Sequence, residues 1–229
     1  MPRNNFPLPV KAVMIDLDGT LLDTVRDLAA AVNLMLDKLG RAPLDESLVR
    51  TFVGKGIPDL VKRSLAGALN GEPDATLFER ALPLYLDCYE TMNGKHTTLY
   101  PGVREGLDAL KNAGFPLACV TNKAGRFTLP LLRQMRIDAY FAIVIAGDTL
   151  PQKKPDPLPL THACRHFGIA PREMLMIGDS LNDAQAARAA GCPVFCVTYG
   201  YNEGADVRDL DIDAIVETLF EAIKLITKS

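Results

Sequence analysis

Two aspartates one residue apart, in Asp16-Leu17-Asp18-Gly19-Thr20, follow a short apolar run at 12–15. Residues two apart at a strand end share a side. Two carboxylates so close repel each other unless a cation or a proton compensates. Asp179 and Asp183, in Gly178-Asp179-Ser180-Leu181-Asn182-Asp183, follow another apolar run at 174–177. Either Asp16 or Asp179 alone could cap a turn or a helix. The set at successive strand ends points instead to a site. Oxygen donors with no histidine or thiolate suit a hard octahedral ion, for which Mg²⁺ is the usual occupant. Thr121 and Asn122 come after an apolar run at 115–120, Asp148 after one at 143–146, and Lys153 and Lys154 precede a helical stretch. An anion cannot approach these acids unaided. A divalent cation and one lysine of the Lys153–Lys154 pair would together supply roughly three positive charges to offset that repulsion. Gly19 lets the backbone come close to a ligand.

The elements that must hold these residues are legible from hydrophobic period. Strands are expected at 12–15, 115–120, 143–146, 174–177 and 193–197, each a short β-rich apolar run. Helices at 103–113, 127–135, 158–167, 182–190 and 216–226 alternate with them. Such alternation implies right-handed crossovers and an α/β fold, a Rossmann-like doubly wound parallel sheet whose ligands bind beyond the carboxyl ends of the strands. Between the first two strands lies a purely helical texture. Val25, Leu28, Ala29, Val32, Met35, Leu36 and Leu39 recur at helical spacing before Gly40. Further helices are expected at 48–53, 57–69 and 75–92, the last capped by Asp74. Pro83 and Pro130 should kink their helices or shift a boundary. The division is then a core of 1–22 and 96–229 with a helical insert of 23–95.

Composition sets limits on partners. The chain has 229 residues, 48% apolar and 23% charged, with formal net charge −3. No long basic run suggests a nucleic-acid groove or an anionic membrane, and no apolar run approaches the roughly 18 residues of a span. The N-terminal Met1-Pro2-Arg3-Asn4-Asn5-Phe6-Pro7 lacks the apolar stretch of a signal peptide. Five cysteines without a C-x-x-C pair read as reduced core residues of a cytoplasmic protein. His162 and His166, four apart on a helix, have no third ligand near them in sequence and read as packing residues.

These motifs resemble the haloacid dehalogenase superfamily. Asp16 to Thr20 resembles its first motif, Thr121-Asn122 its second, Lys154-Pro155 its third and Gly178 to Asp183 its fourth, in the family's order. The resemblance implies that Asp16 attacks phosphorus and becomes an aspartyl-phosphate. It implies that Asp18 protonates the leaving oxygen and then activates water. It implies that Mg²⁺ is held by Asp16, the Asp18 carbonyl and Asp179, with Asp183 acting directly or through water. Thr121 and Lys154 would bind phosphoryl oxygens. An acid at Asp18 favours phosphoryl transfer over dehalogenation, and the insert's place implies an α-helical cap.

Within that superfamily, Tyr199-Gly200-Tyr201-Asn202, the Val53-Gly54-Lys55-Gly56 loop and the Lys153 to Leu160 stretch are most similar to bacterial phosphoglycolate phosphatases. This implies a small phosphate monoester as partner, 2-phosphoglycolate, hydrolysed to glycolate and phosphate. Arg50, Gly54 and Lys55, in a locally basic segment of the insert, become candidate contacts for the substrate carboxylate, with Gly19 and Asn122 on the core side. A β-phosphoglucomutase-like isomerase would need a cap acid/base, and Lys55 does not obviously serve. A phosphonoacetaldehyde hydrolase would need a Schiff-base lysine in the cap. A phospho-accepting receiver module is about half this length and has no such insert. Assembly as monomer or homodimer stays open.

Overall fold

The computed structural model describes residues 6–229. Residues 1–5, assigned above to the core and to a terminus without a signal peptide, lie outside the described residues.

The chain begins with β1 (Leu8–Val10) and β2 (Ala12–Ile15), then a two-residue strand β3 (Leu22–Asp23). Four helices follow: α1 (Val25–Lys38), α2 (Glu46–Phe52), α3 (Ile57–Ala66) and α4 (Ala75–Met92). A short β4 (Thr98–Leu99) pairs antiparallel with β3, so the two connections to the helical segment run side by side. The alternating part comprises α5 (Val103–Asn112), β5 (Leu117–Val120), α6 (Gly125–Gln134), β6 (Ile143–Ile145), α7 (Leu158–Phe167), β7 (Met174–Gly178), α8 (Leu181–Ala190), β8 (Val194–Val197) and β9 (Ala214–Val216). A four-residue α9 (Leu219–Ala222) and β10 (Ile226–Lys228) close the chain.

Six strands form one sheet in the order β6-β5-β2-β7-β8-β9, and every pairing in it is parallel. The chain leaves β2 for β5 and β6 on one side, then crosses to β7, β8 and β9 on the other. The switch in direction leaves a crevice at the carboxyl end of β2, where such sheets bind ligands. Successive side chains alternate between faces. Val13 and Ile15 join Leu117, Cys119, Leu175 and Ile177 in a core under α5 and α9, whereas Ala12 and Met14 join Ala118, Val120, Met174 and Met176 under α7 and α8. Burial on both faces explains why these strands read as unbroken apolar runs.

The four helices at 25–92 hold a core of their own, built around Phe52, Tyr85 and Tyr89, with Phe127 and Tyr201 reaching in from the sheet side. Burying a side chain such as Phe52 contributes about 1.5–3 kcal/mol. Asp74 caps α4 as expected, its carboxylate accepting from the Leu77 N–H at 3.0 Å. Asp27, wholly buried on α1, accepts from the N–H groups of Gly94, His96 and Thr97 and from the Thr97 hydroxyl. That carboxylate fixes the returning connection to the first helix.

Two expectations change. The helix expected at 216–226 is instead the end of β9, the single turn of α9, a 3-10 turn and the start of β10. Ile215 and Val216 favour a strand, and β8 offers an open edge for it. The helix expected at 57–69 ends at Ala66, because Gly67 takes the left-handed conformation, φ 65°, that terminates helices. Helices α4 and α6 run through Pro83 and Pro130. Among the described residues, no helix is long and apolar enough to cross a membrane. All five cysteines are buried free thiols.

Candidate active site

The loops after β2, β5, β6 and β7 converge at the crevice. Asp16 leaves the end of β2 with one carboxylate oxygen 2.7 Å from the Leu17 N–H. The chain then turns tightly, with the Leu21 and Leu22 N–H groups on the Leu17 carbonyl and Gly19 N–H on that of Leu22. Gly19 has φ 88°, and a β-carbon there would fall 2.3 Å from the Asp179 carboxylate. Glycine is required on both counts.

Carboxylate oxygens of Asp16, Asp179 and Asp183 lie within 4.8 Å of one another. Lys154, almost wholly buried, sits behind them and donates to Asp16 at 2.9 Å and Asp183 at 2.7 Å, and also to the Val120 carbonyl. Asp183 accepts further from the Asp179 and Ser180 N–H groups and from the Ser180 hydroxyl. This carboxylate therefore anchors the first turn of α8 and locates Lys154. Asp179 accepts from the Thr20 hydroxyl at 2.7 Å and the Tyr201 N–H at 2.5 Å.

Burial, tempered by Lys154 and reinforced by Asp183, pushes Asp16 from 3.8 up to about 7. Burial with Asp183 and Asp16 drives Asp179 well above the usual carboxylate range. Burial draws Lys154 down, but Asp16 and Asp183 outweigh it, and its affinity for the proton rises. With Asp18 the crevice holds four carboxylates, against the two ammonium groups of Lys154 and Lys123. With all four ionised the surplus is two negative charges, which a divalent cation would balance in place of the protons that Asp16 and Asp179 otherwise hold. The donors are all oxygen, which fits Mg²⁺.

Lys123 is the residue that the sequence reading missed. Its ammonium group donates to both Asp18 oxygens, at 3.1 and 3.2 Å, and to the Tyr89 hydroxyl from α4. It stands two residues beyond Thr121 on the same strand-end loop, so carrying the collection of polar residues one position past Asn122 would have found it. Tyr89 gave no signal, since an aromatic residue on an apolar helix face reads as core.

The other candidates divide. Thr121 and Asn122 line the crevice with Asp16, Asp18 and Gly54. The Thr121 hydroxyl accepts from the Lys123 N–H. The Asn122 amide donates to the Gly54 and Lys154 carbonyls, and so ties the insert to the Lys154 loop. Arg50 and Lys55, expected as substrate contacts, meet the loop after β8. The Arg50 guanidinium donates to the Tyr199 and Gly200 carbonyls and lies over the Tyr201 ring. Lys55 pairs with Glu203 at 3.1 Å, as Arg63 does at 2.7 Å. Both cations bind the loop after β8, a long-range partner that no local reading of charge reveals. Asp148 is drawn off to the first turn of α6, where it accepts from the Gly125 N–H. Asp156 accepts from the Leu158 N–H at the start of α7.

Comparison with known proteins agrees with this geometry. A family model described as haloacid dehalogenase-like hydrolase matches residues 13–197. The phosphoglycolate phosphatase of Nitrosospira multiformis is 64% identical over 225 residues, covering 98% of this chain and 99% of its own. The one from Thiobacillus denitrificans is 54% identical with the same coverage. A crystal structure described as a predicted phosphoglycolate phosphatase from Haemophilus somnus 129PT has a TM-score of 0.89 at 35% identity, covering 94% of this chain and 97% of that one.

Proposed function

The chain belongs to the haloacid dehalogenase-like hydrolase family as a phosphoric monoester hydrolase, and from that premise we propose that it hydrolyses 2-phosphoglycolate to glycolate and phosphate through an aspartyl-phosphate on Asp16. The observation that carries the reading is the convergence of Asp16, Asp179 and Asp183 around Lys154, with Asp18 facing the same crevice.

In the first half-reaction an Asp16 oxygen forms a bond to phosphorus as the phosphorus–ester oxygen bond breaks. Asp18, as the acid, gives its proton to the departing oxygen. In the second half, Asp18 takes a proton from water, the water oxygen bonds to phosphorus, and the bond to Asp16 breaks to release phosphate. Thr121 and Lys154 are suited to hold phosphoryl oxygens. Mg²⁺, held by Asp16, the Asp18 carbonyl and Asp179, would supply positive charge against the phosphoryl oxygens. Asp183 orients Lys154 and the Asp179 loop through the four contacts described above.

The segment 23–95 serves as a cap over the crevice. Gly54 and Tyr89 already line it from the cap side, and the paired β3 and β4 are placed to act as the hinge. Buried free thiols support residence in a reducing compartment, consistent with the cytoplasm.

The test is a panel of small phosphate esters assayed with Mg²⁺. The reading expects a preference for 2-phosphoglycolate, inhibition by EDTA and no turnover in Asp16→Asn. Release of phosphate without isomerisation of a sugar phosphate separates it from a mutase. Comparable rates on many sugar phosphates would overturn the substrate and leave the Asp16 chemistry standing.

A further inference from the structure

The crevice is small, with a cavity volume of about 40 Å³. Its cap-side wall carries the apolar side chains of Leu28, Val53, Ile57 and Leu60, with Tyr89 as its one polar side chain among the described lining residues. A sugar bearing several hydroxyls would find few partners there. Among the described residues lining this cavity, Lys123 is the one cation. Lys154 is held behind Asp16, and Arg50 and Lys55 are turned to the loop after β8. A substrate with a second anionic group must meet a cation within the cavity, and only Lys123 is offered.

We propose that Lys123 and Tyr89 form the subsite for the non-transferred anion of the substrate, a carboxylate one carbon from the ester oxygen. The proposal rests on the reading of Asp16 and Asp18 given above. Asp18 must reach the ester oxygen to protonate it. The carboxylate carbon of such a substrate is two bonds beyond that oxygen, and Lys123 is one hydrogen bond beyond Asp18. Attack at Asp16 therefore brings the carboxylate to the lysine. Tyr89 accepts a hydrogen bond from Lys123 and keeps its own phenolic hydrogen to give. Burial keeps that phenol protonated. The lysine comes from the core and the tyrosine from the cap, so the subsite is complete only with the cap over the sheet. Recognition of the anion and closure of the cap then reinforce each other.

The experiment compares kcat/KM for 2-phosphoglycolate and for ethyl phosphate, which lacks the carboxylate. It is run on the wild-type protein, Lys123→Met and Tyr89→Phe, with Mg²⁺ present and folding checked by circular dichroism. The wild type prefers 2-phosphoglycolate. Lys123→Met reduces kcat/KM for that ester about 30-fold more than for ethyl phosphate, chiefly through KM, and Tyr89→Phe shifts the same ratio about fivefold. Equal losses on both esters would overturn the subsite, since Lys123 would then act only on Asp18. Should Lys123→Met not fold, the Tyr89→Phe ratio decides alone, and an unchanged ratio overturns the proposal. A wild type without preference for the carboxylate ester would instead overturn the substrate assignment itself.

Discussion

Divalent-cation binding to this site should release protons, and the effect is large enough to count. Burial holds Asp16 at about 7 in the metal-free protein, and Asp179 is raised as well. Both must be ionised to ligate Mg²⁺. At pH 6, about nine-tenths of Asp16 carries a proton that binding must expel, and at pH 8 about one-tenth does. Asp16 alone thus raises the apparent affinity about tenfold between pH 6 and pH 8, and Asp179 adds to that. The sign for stability follows from the same shift. An acid whose folded pKa lies above its unfolded value stabilises the fold fully below the unfolded value. That contribution is lost as pH rises through the folded one. For Asp16 the window runs from 3.8 to about 7, and the loss is at most about 4 kcal/mol. Saturating Mg²⁺ offsets it, so the rise in Tm on adding Mg²⁺ grows with pH. Isothermal titration with MgCl₂ in buffers of different ionisation enthalpy measures both affinity and protons released. Affinity that is flat from pH 6 to 8, with no proton released at pH 6, would refute the reasoning.

Three other perturbations test separate parts of the site. In Gly200→Ala the new β-carbon would lie 2.2 Å from that of Asp179, so Asp179 must move. Mg²⁺ affinity should fall about tenfold or more by the same titration, whereas an unchanged affinity would exclude Asp179 as a ligand. Asp27→Asn replaces one acceptor oxygen by an amide facing backbone N–H groups. Urea denaturation should show a loss of about 3 kcal/mol, with Tm lower by about 6–12 °C. Asp183→Asn removes one of the two carboxylates on Lys154. It should lower kcat more than it raises KM for 2-phosphoglycolate, and a change in KM alone would argue against Asp183 as an orienting group.

What the sequence disclosed depended on whether the signal was local. Strands buried on both faces are continuous apolar runs, so β2, β5, β6, β7 and β8 were visible, and the acids that end β2 and β7 were visible with them. The strand β9 was not, because Ile215 and Val216 run on into a helix-like pattern at 219–226 and only the edge of β8 decides between the two. The pairs β1 with β10 and β3 with β4 join segments far apart in the chain and carry no periodic signature in such short strands. The same limit governs the site. Asp16, Asp18, Asp179, Asp183 and Lys154 announce themselves by position after a strand or before a helix. Arg50 and Lys55 look free in a basic stretch of sequence, yet the loop at 199–203 folds back to engage them. Tyr89 is tied to the acids of the crevice only through its contact with Lys123, which no local pattern announces.

The most direct test is to quench the wild-type enzyme in acid during turnover of 2-phosphoglycolate with Mg²⁺ and to map the phosphorylated peptide by mass spectrometry. The account predicts one phosphoryl group, acid-stable and cleaved by hydroxylamine, on the side chain of Asp16. Turnover with no phosphoenzyme, or with the label on another residue, would contradict it.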